Sequence, residues 1–350
     1  LIPAPLHSKQ IRFRHLAKVN LAAMLVSSLA AIVMALCGCG VWTLAWQPVI
    51  LAGVKSGLLW TTNRWRPQCY FSMAIIRDLF GFASSLLLSG LLNVVFINVY
   101  SLVIPRLYPK RELGLFTQGN KICDPIVSLV YGSIQNATYP IFSNIQNQHD
   151  RLINAYRKSI RFTSFLTFPL LIGGVMVAPA LFRLLFKSEW WDAIPFFQLL
   201  CMGGCFTVLT AINNNFIKVS GRSSGILRIE IVKMALTAVS IALLARESVL
   251  AMVAGLMAVR GVVHLINIYY TQRYTGYGMW AQLCDTVPYL LLAMVMAAAV
   301  WSVGLVVDKP WLLLPLQIVA GAAVYTLLAY ATGSKILKDA IRLLLKKETL

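Results

Sequence analysis

Lys121 and Asp124 stand three residues apart in the stretch NKICDP, inside an otherwise apolar region. On a helix that spacing puts an ammonium and a carboxylate on one face. Two more cations lie deep in apolar runs: Lys55, and Arg260 between Val259 and Gly261. A charge at mid-membrane costs about 2.5–3.5 kcal/mol even on the lenient insertion scale, so it faces a partner or a wet cavity. Two chemistries fit the pair. Lys121 and Asp124 can neutralise each other locally. Alternatively both face a hydrated cavity, where Lys121 holds an anionic substrate and Asp124 tunes it or takes up a coupling ion, H+ or Na+. Pro125 follows directly; it removes a backbone N–H and disfavours α geometry at Asp124. Asn93, Asn98 and Asn120 fall in neighbouring apolar spans, and AINNNF adds Asn213, Asn214 and Asn215. These amides can hydrogen-bond sugar hydroxyls or join helices. Glu230, between Arg228 and Lys233, reads as a member of a surface ion pair. The in-span charges Lys55, Lys121, Arg260 and Asp124 leave two net positive charges. That excess suits a diphosphate, whose oxygens pair well with Lys and Arg, better than an organic cation.

Such residues need elements to hold them at depth. The chain has 350 residues, 59% apolar and only 12% charged, against roughly 25% charged in a soluble domain. Apolar runs near the length of about 20 residues that spans a bilayer as a helix recur throughout. No segment alternates with a period of two over the length that a membrane β-barrel strand needs. The expected fold is therefore all-α, a polytopic transmembrane helical bundle. Ten spans are expected, near 19–37, 41–61, 81–104, 114–137, 160–182, 194–216, 227–245, 248–270, 286–306 and 311–331.

The net charge of +19 would suggest nucleic acid on a soluble protein. Here the basic residues cluster in alternate short loops, and one set holds about three times as many as the other. Orientation signal is the better reading, with no nucleic-acid partner. The richer set includes Arg157, Lys158 and Arg161, and Lys218, Arg222, Arg228 and Lys233. It marks the cytoplasmic side and, with ten spans, puts both ends of the chain there. The tail KILKDAIRLLLKK is a basic amphipathic segment fit to lie on an anionic leaflet. The seven cysteines and four histidines form no metal-ligand pattern; the cysteines read as small packing residues. No metal or cofactor is expected.

The stretch ELGLFTQGNKICDPIVSLVYGSIQNATYPIFSNIQNQHDRLINAYRKSIRFTSFLTFPLLIG resembles the polysaccharide transporter (Wzx-like) flippase family of the MOP superfamily. LFRLLFKSEWWDAIPFFQLL, NNNFIKVSGRSSGILRIEIVK and the early HSKQIRFRHLAKV look similar too, in order along most of the chain. The resemblance implies two six-helix lobes and a terminal pair, fourteen helices in a MATE-like arrangement, of which about ten are present. Leu1 and the opening LIPAPL then read as the continuation of a longer, N-terminally truncated chain. On that mapping 1–61 ends the N-terminal lobe and 62–80 is a cytoplasmic interfacial linker. Residues 81–270 form the C-terminal lobe, 271–285 a second linker, 286–331 the final pair and 332–350 the tail. Of the charged positions, only Lys121 matches the family's pattern; Asp124 departs from it.

The expected function is that of a non-enzymatic flippase, moving an undecaprenyl-diphosphate-linked oligosaccharide from the inner to the outer leaflet of a bacterial inner membrane. The glycan is an O-antigen, capsule or exopolysaccharide unit, and the mechanism is alternating access. Its partners are the lipid-linked oligosaccharide, membrane lipids, and polysaccharide polymerase and chain-length machinery. A MATE-like drug/ion antiporter is the first alternative. A membrane glycosyltransferase or ligase is the second, but it needs an acid/base pair and a substantial outer loop, and neither is evident.

Overall fold

The computed structural model describes residues 13–38, 40, 42–62, 73–221, 223–307, 309–334 and 336–337. Among the described residues the regular structure is helical, without a strand. The helices are α1 (Phe13–Leu36), α2 (Trp42–Thr62), α3 (Met73–Leu107), α4 (Lys110–Asn144), α5 (His149–Leu185), α6 (Ile194–Val219), α7 (Ser223–Leu244), α8 (Val249–Thr275), α9 (Met279–Val306) and α10 (Pro310–Ala331). A 3-10 turn, Ser188–Ala193, leads into α6.

Each expected span corresponds to one helix. Among the described residues seven helices are long and apolar enough to cross a membrane: α1, α3, α5, α6, α8, α9 and α10. Of the remaining three, α4 and α7 carry charge in mid-helix: Lys121 and Asp124 on α4, and Arg228, Glu230 and Lys233 on α7. The protein is a multi-pass membrane protein. Its surface agrees: Leu29, Leu91, Leu129, Leu243, Trp301 and Val319 are exposed, while Asn213, Asn267 and Gln317 are buried. Such an inside-out distribution suits lipid, where apolar side chains face outward and polar groups must find partners within.

The connections are shorter than expected. Residues 63–72 of the expected 62–80 linker lie outside the described residues. Residues 73–80 are the first turns of α3, which runs unbroken to Leu107. The expected linker 271–285 shrinks to Gly276–Gly278. Gly276 takes a left-handed φ of 64°, and its N–H bonds the Gln272 carbonyl, ending α8. The tail beyond Leu337 lies outside the described residues.

Spatial proximity divides the chain into two compact units, 1–74 and 75–350. In the first, α1 and α2 pack against each other across a turn with positive φ at Gly38 and Gly40. In the second, α6 is the hub, packing against α4, α5, α7 and α8. A side chain at Gly204 shows how close these helices come. Its Cβ would lie 2.6 Å from Val127 Cγ2 on α4 and 3.2 Å from Leu171 Cδ1 on α5. Around α6 the core closes over Phe142, Tyr156, Phe182, Phe197, Ile212 and Met252.

The last two helices are tied on by polar bonds. Tyr325 of α10 donates to the Phe165 carbonyl of α5 at 2.9 Å, and Gln317 donates to the Val300 carbonyl of α9 at 3.2 Å. At its N-terminal end α9 is clamped to α5 by Asp285. That carboxylate accepts from Arg157 at 3.1 Å, Arg161 at 2.5 Å and the Tyr277 hydroxyl at 2.5 Å. Burial, then the bond to Asp285, pushes the Tyr277 phenol above its ordinary range. The two arginines, read from the sequence as loop charges, are therefore helical and paired.

Candidate functional site

A cavity of about 590 Å³ lies within the second unit, lined by α3, α4, α6, α7 and α8. Two of its walls form the α7–α8 pair, and each carries a cation near its midpoint. Lys233 is the eleventh of the 22 residues of α7, and Arg260 the twelfth of the 27 of α8. At about 1.5 Å per residue each lies roughly 15 Å or more from either end of its helix. Both cations are therefore placed at depth.

Lys233 is buried and well held. Its ammonium donates to Asn93 Oδ1 of α3 at 2.9 Å, pairs with Glu230 one turn earlier, and lies 4.3 Å from the centroid of the Phe96 ring. Desolvation of an ammonium is costly, and the carboxylate, amide and ring face together offset it. Arg260 differs. Its side chain lies against α6 at Gly203, where a Cβ would come within 3.2 Å of Arg260 Cδ and 3.3 Å of Nη1. Glycine leaves the passage through which the guanidinium reaches the cavity. Among the described residues Arg260 makes no ion pair and no hydrogen bond. Tyr100 and Asp124, also on the cavity wall, lie within electrostatic reach of it.

α4 presents one face, polar at Asn120, Asp124 and Tyr131, to the same space. Phe116, Asn120, Asp124, Val127 and Tyr131 recur at helical spacing and all line the cavity. Lys121 is one residue round from Asn120, about 100° away on a helix of 3.6 residues per turn. It is exposed and outside this lining. The local Lys121–Asp124 ion pair is not formed among the described residues.

AINNNF divides its labour. Asn213 and Asn215 are fully buried. The first accepts from the Tyr156 hydroxyl at 2.7 Å; the second donates to Thr138 Oγ1 at 2.7 Å and to the Gln135 carbonyl at 3.1 Å. They join helices. Asn214, between them, lines the cavity with Thr207, Thr210 and Lys218 of the same helix.

The structure thus gathers Asn93, Asn120, Asp124 and Arg260 around one space. Within the same unit, Lys121 and Asn98 are not part of its lining. Asn98 is exposed, its amide donating to the Val94 carbonyl of its own helix at 2.8 Å. Lys55 belongs to α2 in the first unit, where it is half-buried. Lys233, Glu230 and Lys218 line the cavity, whereas the sequence reading counted the two lysines among loop charges and read Glu230 as a member of a surface ion pair. Lys233 carried a readable signal: it follows Glu230 by three residues inside an apolar run, a within-helix pair. The cavity charge is accordingly one net positive, from Lys218, Lys233 and Arg260 against Asp124 and Glu230. The expected two positive charges came from a different set. Among the described residues no group of His, Cys, Asp and Glu is arranged to hold a metal ion.

A family model described as polysaccharide biosynthesis protein matches residues 1–195. Teichuronic acid biosynthesis protein TuaB of Bacillus subtilis is 24% identical over 61% of this chain and 45% of its own length. Succinoglycan biosynthesis transport protein ExoT of Rhizobium meliloti is 24% identical over 55% of this chain and 39% of its own. Lipopolysaccharide biosynthesis protein WzxC of Escherichia coli is 23% identical over 57% and 41%. The chain therefore spans less than half the length of each of these curated relatives. In three dimensions it is similar to the lipid II flippase MurJ in an inward closed conformation. The TM-score is 0.65 at 12% identity, covering 92% of this chain and 68% of that one. That likeness concerns the fold.

Proposed function

Because the chain belongs to the polysaccharide biosynthesis protein family, we propose that it works as a non-enzymatic flippase for a lipid-linked oligosaccharide carrying a diphosphate. The lipid is undecaprenyl diphosphate, and the membrane is the bacterial inner membrane with both ends of this chain cytoplasmic. The single observation that carries the reading is Arg260: a guanidinium at mid-helix, on the wall of a cavity that mixes polar and apolar residues and left without an ion-pair partner among the described residues. Its planar fork suits phosphate oxygens. Lys233 supplies a second cation, already oriented by Asn93 and Phe96. Asn120, Ser128, Tyr131 and Asn214 line the same cavity and offer hydrogen bonds to the first sugar. The polyprenyl tail stays in lipid.

The two carboxylates have a part in this cycle. A cavity that only attracted a dianion would not release it. Glu230 competes with the cargo for Lys233, so the empty cavity regains that internal pair as the diphosphate leaves, while Asp124 stays within electrostatic reach of Arg260 without pairing with it. Asp124 is also the position at which a coupling proton or Na+ would act. The cavity opens alternately to the two sides, and product removal by the polymerase and chain-length machinery pulls the cycle forward. A MATE-like antiporter of organic cations is less well supported, since the lining carries a net positive charge.

The test is complementation of surface polysaccharide export by the full-length protein carrying Arg260→Ala or Lys233→Met. Losing one charge-assisted hydrogen bond costs roughly 1.5–3 kcal/mol, so either variant should cut export by about tenfold or more. Export at the wild-type level from folded, membrane-inserted Arg260→Ala protein would refute the reading.

A further inference from the structure

Helix α5 carries two prolines in its interior, Pro169 and Pro179. A helical residue donates its N–H to the carbonyl four residues earlier, and proline has none to give. Pro169 therefore leaves the Phe165 carbonyl without its own helix partner, and Pro179 does the same to Val175. In water a solvent molecule would take each carbonyl. In hydrocarbon each must be met from within the protein.

Both are met, and each by a different helix. The Tyr325 hydroxyl of α10 donates to the Phe165 carbonyl at 2.9 Å. The Gln198 amide of α6 donates to the Val175 carbonyl at 3.0 Å. Tyr325 also packs on the Phe165 ring, with centroids 5.4 Å apart, so its reach to that carbonyl is fixed by the ring contact. Two donors from elsewhere thus fall at the two places where α5 has lost a bond of its own.

The stretch between the prolines is weak in another way. It holds Gly173 and Gly174, and neither is required for room. A Cβ at Gly173 would lie 3.5 Å from Met296 Cε, and one at Gly174 3.8 Å from Cys201 Sγ, both ordinary contacts. Alanine would fit at either position and would hold the helix more firmly. Prolines and paired small residues are where helices bend. The helix so weakened is the one that joins two parts of the unit. It packs against α6, which lines the transport cavity, and against α9 and α10. The Pro179 carbonyl is held from α6 and the Pro169 carbonyl from α10.

We propose that α5 is a jointed helix, with Pro169 and Pro179 as its joints and Tyr325 and Gln198 as the latches that hold them. Each latch closes on a carbonyl that a proline has left open. With both closed, α5 keeps one shape, and the α9–α10 pair stays in register with the cavity wall on α6. Opening a latch lets the helix swing at that joint. Tyr325 and Gln198 are positioning residues, acting through the backbone of α5 without touching the cargo. The inference does not depend on which cargo the cavity carries.

Two double-mutant cycles on the full-length protein in detergent test it, read by denaturant titration. Tyr325→Phe keeps the ring and removes the hydroxyl, and Pro169→Ala returns an N–H that can bond the Phe165 carbonyl. Gln198→Leu and Pro179→Ala form the second cycle. With proline present, each latch variant should lower the folding equilibrium constant by about tenfold. With alanine in its place, the same change should cost less than about threefold, because the carbonyl is no longer orphaned. If Tyr325→Phe alone fails to fold, Pro169→Ala should rescue it. Equal losses in the two backgrounds, or no rescue, would overturn the latch, since a side chain that only fills space does not sense the missing N–H. Spin labels at Phe162 and Leu184, exposed positions flanking both joints, read the shape of α5. The Tyr325→Phe/Gln198→Leu protein should give a broader distance distribution than the unaltered one, and Pro169→Ala/Pro179→Ala a narrower one. Identical distributions in all three would overturn the joints.

Discussion

Lys233 and Glu230 set the clearest residue-scale expectation. The carboxylate holds the ammonium when the cavity is empty, so removing it should strengthen the grip on a dianion and slow release. Glu230→Gln is expected to bind a diphosphate lipid more tightly while exporting less, read as a lower Kd beside a lower transport rate. Weaker binding would show that Glu230 serves to position Lys233 instead. The three adjacent asparagines allow a second test. Asn215→Ala removes two hydrogen bonds between α6 and α4. It should lower stability by about 1–3 kcal/mol, since buried partners are left unsatisfied. Asn214→Ala should leave stability near wild type and reduce transport. Denaturant titration in detergent beside an export assay separates the two. From the sequence these amides could not be told apart, because neighbours on a helix point 100° from one another and the facing side is unknown. Arg260 was legible, because a lone cation in an apolar run has few explanations. The pairing of Lys233 with Glu230 was legible too, but Arg222 and Arg228 upstream made the pair look like a surface feature.

At the scale of elements, the apolar runs announced the helices but not their true ends. α5 extends over 37 residues and α4 over 35, well beyond the apolar stretch that marks each span. Charged end turns such as those holding Arg157, Arg161 and Asp285 read as linker when only apolarity is followed. In the structure they are helical because they pair with one another across α5 and α9. Pairing across helices is tertiary information. The hub role of α6 was equally hidden, since a helix apolar on all sides shows no preferred face. Its small residues were the only clue. Gly204 lets α4 and α5 approach, and Gly204→Val should force Val127 and Leu171 apart. Overpacking of this kind costs about 1–3 kcal/mol. The expected outcome is a lower thermal midpoint in detergent, and an unchanged midpoint would show that the contact yields freely.

For the whole molecule, the fold class followed from composition alone: too few charges for water, and runs of the length a bilayer demands. The lining of the cavity did not follow, because it depends on which helices are neighbours. Once assembled, the polar residues of α3, α4, α6, α7 and α8 share one space, and the apolar exterior faces lipid. The relatives are named for polysaccharide biosynthesis and transport, and on the proposed reading the cavity takes the phosphates of the cargo. The central claim is that Arg260 and Lys233 grip those phosphates during passage. Its most direct test is a flipping assay in proteoliposomes of the full-length protein. A defined undecaprenyl-diphosphate oligosaccharide is placed in one leaflet and its appearance in the other is followed. Wild type should move it, while Arg260→Ala and Lys233→Met should fall by about tenfold or more and Lys121→Ala should stay near wild type. Flipping at the wild-type rate by folded protein lacking both cations would contradict the account.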